Sequence, residues 1–196
     1  MKEKVVNKSM NLLNEYYTYD DKQLKKIKYG FEGIYITMTK FLATVLISLI
    51  LDSFRETIIF LLIFTPLRNF GFGIHASKSV YCWFTTIPMF CGIPILSKIL
   101  IINSKLIVIL AAISVISLII FAPADTKKRP LKSKKKRIIY KIILSLVSIS
   151  YLIYIVLTNN IYSKMMMFAL IIETILTNPI TYKIFGQPYG NYKLSK

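Results

Sequence analysis

The side chains best equipped for covalent chemistry crowd into one short stretch of this 196-residue chain. It reads Arg68-Asn69-Phe70-Gly71-Phe72-Gly73-Ile74-His75-Ala76-Ser77-Lys78-Ser79-Val80-Tyr81-Cys82-Trp83, and it holds the single His, the single Trp and one of the two Cys. A thiol with a free pKa of about 8.5 is mostly protonated at neutral pH, and an imidazole beside it raises the thiolate fraction. Such a pair suffices for attack on a carbonyl and transfer of the acyl group. On one regular helix the seven positions from His75 to Cys82 would hold them about 10.5 Å apart along the axis, against the roughly 3 Å at which a base takes a proton. The helix must therefore break between them. Gly71 and Gly73 can adopt backbone angles closed to other residues, and Ser77 and Ser79 favour turns and helix starts. The sequence predicts a bend that carries His75 towards Cys82.

Each of these residues also has a plainer role open to it. A Cys in an apolar run is usually a small core residue, which is the expectation for Cys91 between Phe90 and Gly92. A disulfide between Cys82 and Cys91 is not expected in a reducing cytoplasm. A lone His at a membrane boundary commonly serves as a hydrogen-bonded interfacial residue. One His and two Cys without clustered acids do not assemble a closed tetrahedral site, so neither a metal nor a cofactor is expected. Ser residues within apolar runs read as helix-packing positions rather than as part of a Ser, His and Asp hydrolase.

The elements that position this stretch are membrane segments. Hydrophobic residues make up 55% of the chain and charged residues 18%, yet 26 Lys and Arg against 9 Asp and Glu leave a net charge of +17. An ordinary soluble domain is about 25% charged, and here long uncharged stretches alternate with short basic clusters. That pattern excludes a disordered or collagen-like chain and argues against a nucleic-acid partner. Ser79 to Ser97, Leu106 to Ala124 and Ile142 to Ser163 each approach the roughly 20 residues that cross a bilayer. Phe31 to Leu51, with Glu32 and Lys40, and Met165 to Tyr182, with Glu173, are long enough as well. Thr57 to Leu67 is a short span or a re-entrant segment. Lys40 and Glu173 should face the bundle interior or reach for the interface, since a charge in lipid is costly.

The predicted fold is all-α, a polytopic membrane protein of about six membrane segments in a single domain. Residues 1–30 form a cytoplasmic-face segment, 31–182 the membrane segments and 183–196 a cytoplasmic tail. Within the first of these, Val5, Val6, Met10, Leu12, Leu13, Tyr16 and Tyr17 recur near helical spacing, the mark of an amphipathic helix lying in the interface. Asp125 to Arg137 carries eight basic residues against one acid, and Met1 to Gly30 carries seven Lys. The positive-inside rule puts both segments in the cytoplasm. Six crossings then keep both termini inside and bring Arg68 to Ser79 to the cytoplasmic face of the cell membrane.

At this point the residues resemble a known family. Arg68-Asn69-Phe70-Gly71-Phe72-Gly73-Ile74-His75, with Cys82 seven positions on, is similar to the signature of the AgrB family, the accessory gene regulator B proteins of bacterial quorum sensing. Ala122-Pro123-Ala124-Asp125-Thr126-Lys127-Lys128-Arg129-Pro130 resembles the Ala-Pro and basic-cluster element of the same family. The resemblance implies a membrane cysteine endopeptidase that removes the C-terminal tail of an AgrD-type propeptide and promotes its cyclisation to a thiolactone or lactone autoinducing peptide. It implies Cys82 as nucleophile and His75 as base, with Arg68, Gly73, Lys127, Lys128 and Arg129 on the substrate side, and a homodimer. Asn69, Ser77 and Asp125 each remain open as the group that orients His75.

A rival from another class is a non-catalytic peptide exporter or scaffold, in which His75 and Cys82 are incidental. The basic cluster likewise has two readings. It attracts an acidic propeptide tail, or it sets topology and holds anionic membrane lipids at about 1 kcal/mol per residue. Neutralising Lys127, Lys128 and Arg129 together is expected to raise the substrate concentration needed for tail cleavage while leaving insertion intact. Unchanged kinetics would favour the lipid role.

Overall fold

The computed structural model describes residues 2–16, 19–74, 79–126, 130–131 and 133–190, and the regular elements among these are all helices. A surface helix comes first, α1 (Lys2–Tyr16), which packs on the long α2 (Asp21–Ile50) with Val6 and Met10 buried. The start of α2 is fixed locally. The backbone N–H of Asp20 donates to Gln23 Oε1 at 3.2 Å, one half of a capping box. From Asp21 the helix runs unbroken through Gly30 into the apolar stretch, so its first turns are basic and the rest is apolar.

A tight turn with Asp52 in the left-handed region (φ 49°) leads to α3 (Phe54–Gly71). The sequence bounded this segment by its charges, Glu56 and Arg68, and so made it short; the structure corrects this to an 18-residue helix, about 27 Å long. Both charges are matched, which is why the helix extends past them. Glu56 pairs with Lys98 at 2.8 Å, and Arg68 lies within 3.8 Å of Glu173.

Next come α4 (Ser79–Ile87), a π-helical turn over Pro88–Gly92 and α5 (Ile93–Ile99), which follow one another without a gap. Pro88 lacks the N–H that a regular ladder would use, and a wider turn absorbs the defect. Cys91 is a buried core residue, as expected, with Sγ 3.7 Å from the Thr44 carbonyl of α2.

The remaining elements are α6 (Ser104–Phe121), α7 (Lys134–Leu157), α8 (Ile161–Thr177) and α9 (Pro179–Ile184). Asn103, Ser133, Asn160 and Asn178 cap them, each side chain accepting a backbone N–H of the first turn. The uncharged run from Ile142 to Ser163 breaks between Leu157 and Ile161, at Thr158 to Asn160, where the alternation of crossings predicts a short connection. One boundary needs correction: Met165 to Tyr182 is divided at Asn178, where the pair Asn178-Pro179 ends one helix and starts another.

Helices α3, α6, α7 and α8 pack together, and their shared core includes Phe60, Leu67, Ala111, Leu118, Leu144, Ala169 and Leu170. Small residues sit where α6 and α8 approach, with Thr174 Oγ1 donating to the Ser114 carbonyl at 3.1 Å. Phe60 and Phe64 of α3 meet Phe90 edge to face at 5.8 and 5.7 Å. On α6, Ile109, Ile113, Ile116 and Ile120 line the opposite, exposed face at helical spacing, as a bilayer-facing helix requires. Helices α2, α6 and α7 are long and apolar enough to cross a membrane. Phe60→Ala is expected to cost roughly 3 kcal/mol through the cavity it leaves, seen as a lower melting midpoint in detergent micelles. A midpoint equal to wild type would mean that α3 repacks freely.

Candidate functional site

The site grows from the end of α3. Its last helical residue is Gly71, and the chain then leaves through two left-handed residues, Phe72 (φ 67°) and Gly73 (φ 76°). For Phe72 such a backbone costs on the order of 1–3 kcal/mol unless the surroundings hold it. They do so from several sides. Arg68, one turn back on α3, donates from Nη1 to the Phe72 carbonyl and from Nη2 to the Ile74 carbonyl at 2.6 Å. The Phe72 ring lies 5.6 Å from that of Tyr140 on α7, which also meets Phe70 edge to face at 5.6 Å.

The elbow is further tied to two distant parts of the chain. Ile74 N–H donates to the Leu176 carbonyl near the end of α8 at 2.9 Å. Gly73 N–H donates to the Ala124 carbonyl at 2.8 Å, and Ala124 N–H donates back to the Gly71 carbonyl at 3.0 Å, so that Phe72 and Ala124 form an isolated parallel bridge. The two stretches that carried the family resemblance are thus hydrogen-bonded to each other. Tyr182 of α9, fully buried, donates its hydroxyl to the same Ala124 carbonyl at 2.8 Å. Asp125 is buried too, and its Oδ2 accepts the Leu131 N–H at 3.3 Å. Tyr189 closes the layer from the tail, with its ring 5.1 Å from Tyr182 and its hydroxyl donating to the Phe121 carbonyl at 2.7 Å.

Space at the elbow explains its glycines. A Cβ on Gly73 would lie 2.7 Å from both Arg68 Nη1 and the Leu176 carbonyl oxygen, and the positive φ would be strained besides. A Cβ on Gly71 would collide with the carboxylate of Glu173. Glu173 is completely buried on α8, with Oε2 3.8 Å from Arg68 Nη1, too long for a hydrogen bond but within reach of an ion pair. Among the described residues neither of its oxygens has a hydrogen bond. A buried ion pair of this kind is costly to break, at about 3–5 kcal/mol when one partner is removed.

Of the residues singled out from sequence, Arg68 and Gly73 are brought together here. His75 and the cluster Lys127, Lys128 and Arg129 lie outside the described residues. Cys82 lies near the start of α4, with its side chain outside them as well. Helix α3 ends at Gly71, the chain is non-helical over Phe72, Gly73 and Ile74, and α4 runs from Ser79; the bend expected between His75 and Cys82 falls on 75–78, outside the described residues. Of the three candidates for orienting His75, Asn69 is exposed on α3, Asp125 is buried in its own loop and Ser77 lies outside the described residues. Sequence reasoning left Glu173 to face the interior or to reach for the interface; it faces the interior, and no sequence signal pointed to its proximity to Arg68. It missed Tyr182 and Leu176, whose part is a contact across dozens of residues that no local pattern records.

Comparison with known proteins adds a direct finding. The model of the family described as accessory gene regulator B matches residues 5–177. The chain is 31% identical over 189 residues to an AgrB-like protein of Clostridium acetobutylicum, covering 92% of this chain and 87% of that one. It is 29% identical over 181 residues to an AgrB-like protein of Listeria innocua, covering 89% and 86%. It is also 29% identical over 180 residues to the accessory gene regulator protein B of Staphylococcus aureus, covering 87% and 94%. No solved structure matches the chain.

Two substitutions probe the elbow. Gly73→Ala is expected to cost about 2–4 kcal/mol, from backbone strain and collision together, and Tyr182→Phe about 1 kcal/mol, from one lost hydrogen bond. Melting in detergent micelles checks the order. A Gly73→Ala protein as stable as wild type would mean that the elbow is loosely held.

Proposed function

The chain belongs to the accessory gene regulator B family, which gives it a role in the agr quorum-sensing system and a place in the membrane, and from that premise we propose that it is a membrane cysteine endopeptidase. Its substrate is an AgrD-type propeptide, whose C-terminal tail it removes before the remainder cyclises. Cys82 is the nucleophile and His75 the base. The observation that carries this reading is the elbow itself: a strained turn, held at Phe72 and Ile74 by Arg68, immediately before His75. A turn built at such cost in sequence constraint has a use in aiming the next side chain.

The chemistry runs in two balanced steps. His75 takes the Cys82 proton, the thiolate attacks the scissile carbonyl, and a C–S bond forms as the C–N bond breaks. His75 returns the proton to the departing amine, which frees the tail and leaves the acyl group on Cys82. A thiol of the bound peptide then gives its proton to His75, attacks the thioester and closes a thiolactone, while Cys82 leaves as a thiolate that takes the proton back. An internal hydroxyl in the same place would close a lactone. Exchange of one thioester for another is nearly balanced in bond energy, so the ring wins over hydrolysis only where water is excluded. Phe70 and Phe72, packed on Tyr140, form an apolar flank suited to that task.

In this reading Arg68 and Gly73 serve the substrate site by fixing its backbone, and Lys127, Lys128 and Arg129 receive the polar tail. Six membrane segments put both termini and the site at the cytoplasmic face, where the propeptide is made. The test is intact mass spectrometry of the protein in lipid vesicles with its propeptide. Wild type is expected to gain the mass of the tail-less peptide, in a bond cleaved by hydroxylamine; Cys82→Ala gains nothing and releases no tail, and His75→Ala releases it slowly. Equal tail release by wild type and Cys82→Ala would overturn the mechanism and favour an exporter or scaffold.

A further inference from the structure

The carboxylate of Glu173 is fully buried in the bundle and, among the described residues, makes no hydrogen bond. We propose that Glu173 is a positioning residue for the reaction, acting through Arg68 on the backbone that carries His75; this rests on the roles assigned to His75 and Cys82 above. Glu173 is completely buried, its two oxygens have no hydrogen bond among the described residues, and Arg68 Nη1 lies 3.8 Å from its Oε2. Such a group in a membrane bundle is retained for a use, since burying it otherwise only costs stability.

The geometry says what the use is. Arg68 donates to the carbonyls of Phe72 and Ile74, and Ile74 directly precedes His75. A guanidinium is a donor only, and its side chain is still 20% exposed, so water competes for it. The negative charge of Glu173 behind it holds it inward, over the elbow. Helix α8 reaches the same segment a second time, because Leu176, three residues beyond Glu173, accepts the Ile74 N–H at 2.9 Å. Gly71 completes the arrangement. Any side chain there would push the carboxylate out of its place, so the glycine and the acid require each other. Acid, guanidinium and two carbonyls form one chain of contacts from the buried face of α8 to Ile74, the residue before His75.

The test uses full-length protein in lipid vesicles with its propeptide, in a Cys91→Ala background so that Cys82 is the single thiol. Glu173→Gln keeps the volume and removes the charge. It is expected to lower kcat for tail cleavage by roughly 10²-fold, the effect of a displaced catalytic group, with KM within about twofold. Alkylation of Cys82 by iodoacetamide at pH 7 should slow to the rate of His75→Ala, because the base no longer stands beside the thiol. Glu173→Asp, with the charge on a shorter arm, should recover part of kcat. Gly71→Ala, which displaces the carboxylate without removing it, should reproduce the Gln variant and serves in its place if that protein does not fold. Wild-type kcat in both variants overturns the proposal. So does a lowered kcat with Cys82 alkylation as fast as wild type, which would be a structural effect away from the base. If His75→Ala leaves Cys82 alkylation unchanged, the assignment of the base fails first, and the proposal falls with it.

Discussion

A guanidinium on the last turn of α3, holding two carbonyls of a chain that has already turned back, is the constraint around which this protein is arranged. Arg68 can reach Phe72 and Ile74 only if Phe72 and Gly73 take left-handed angles. Those angles leave room for no Cβ at Gly73, and the charge that makes the contact strong must be balanced inside the bundle. Glu173 supplies the balance, and its bulk in turn requires Gly71. Arg68, Gly71, Gly73, Glu173 and the strained turn are therefore one unit, and none of them has a sufficient reason to be there without the others.

The unit closes because three further parts of the chain come to it. Helix α8 lends a free C-terminal carbonyl at Leu176, the Ala122–Pro130 element lends both backbone groups of Ala124, and α9 lends the hydroxyl of Tyr182. Buried irregular backbone survives only when its polar groups are met within the protein, and here the N–H groups of Gly73, Ile74 and Ala124 and the carbonyls of Gly71, Phe72, Ile74 and Ala124 all are. The Ala124 carbonyl accepts twice. This accounting joins two signature stretches about 50 positions apart into one surface, which is the arrangement a processing site needs if one stretch carries the reacting groups and the other the basic cluster.

The same logic explains the elements around the site. Charges that end a hydrophobic run on paper extend a helix in space when each has a partner, as Glu56 with Lys98 and Arg68 with Glu173 do for α3. Lys164, within the apolar start of α8, is met in the same way by the carbonyls of Ser97 and Leu100 at 3.2 and 2.7 Å. Pairing of this kind fastens one helix to the next, α3 to α5, α5 to α8 and α8 to α3, where lipid offers no hydrophobic drive to hold helices together.

Much of this was legible in the sequence, because it depends on residue type and period. The helical class, the amphipathic α1, the burial of Cys91 and the inward turn of Glu173 all follow from local pattern and from the physics of lipid. The ends of α3 and α8 were misread for a related reason: a hydropathy pattern stops at a charge or runs through a cap, since it has no knowledge of partners. What tertiary structure alone decided is the meeting of Arg68 with Glu173, of Ala124 with Gly71 and Gly73, and of Tyr182 with Ala124. Those contacts join residues about 50 to 100 positions apart, and distance along the chain carries no record of which helices pack side by side.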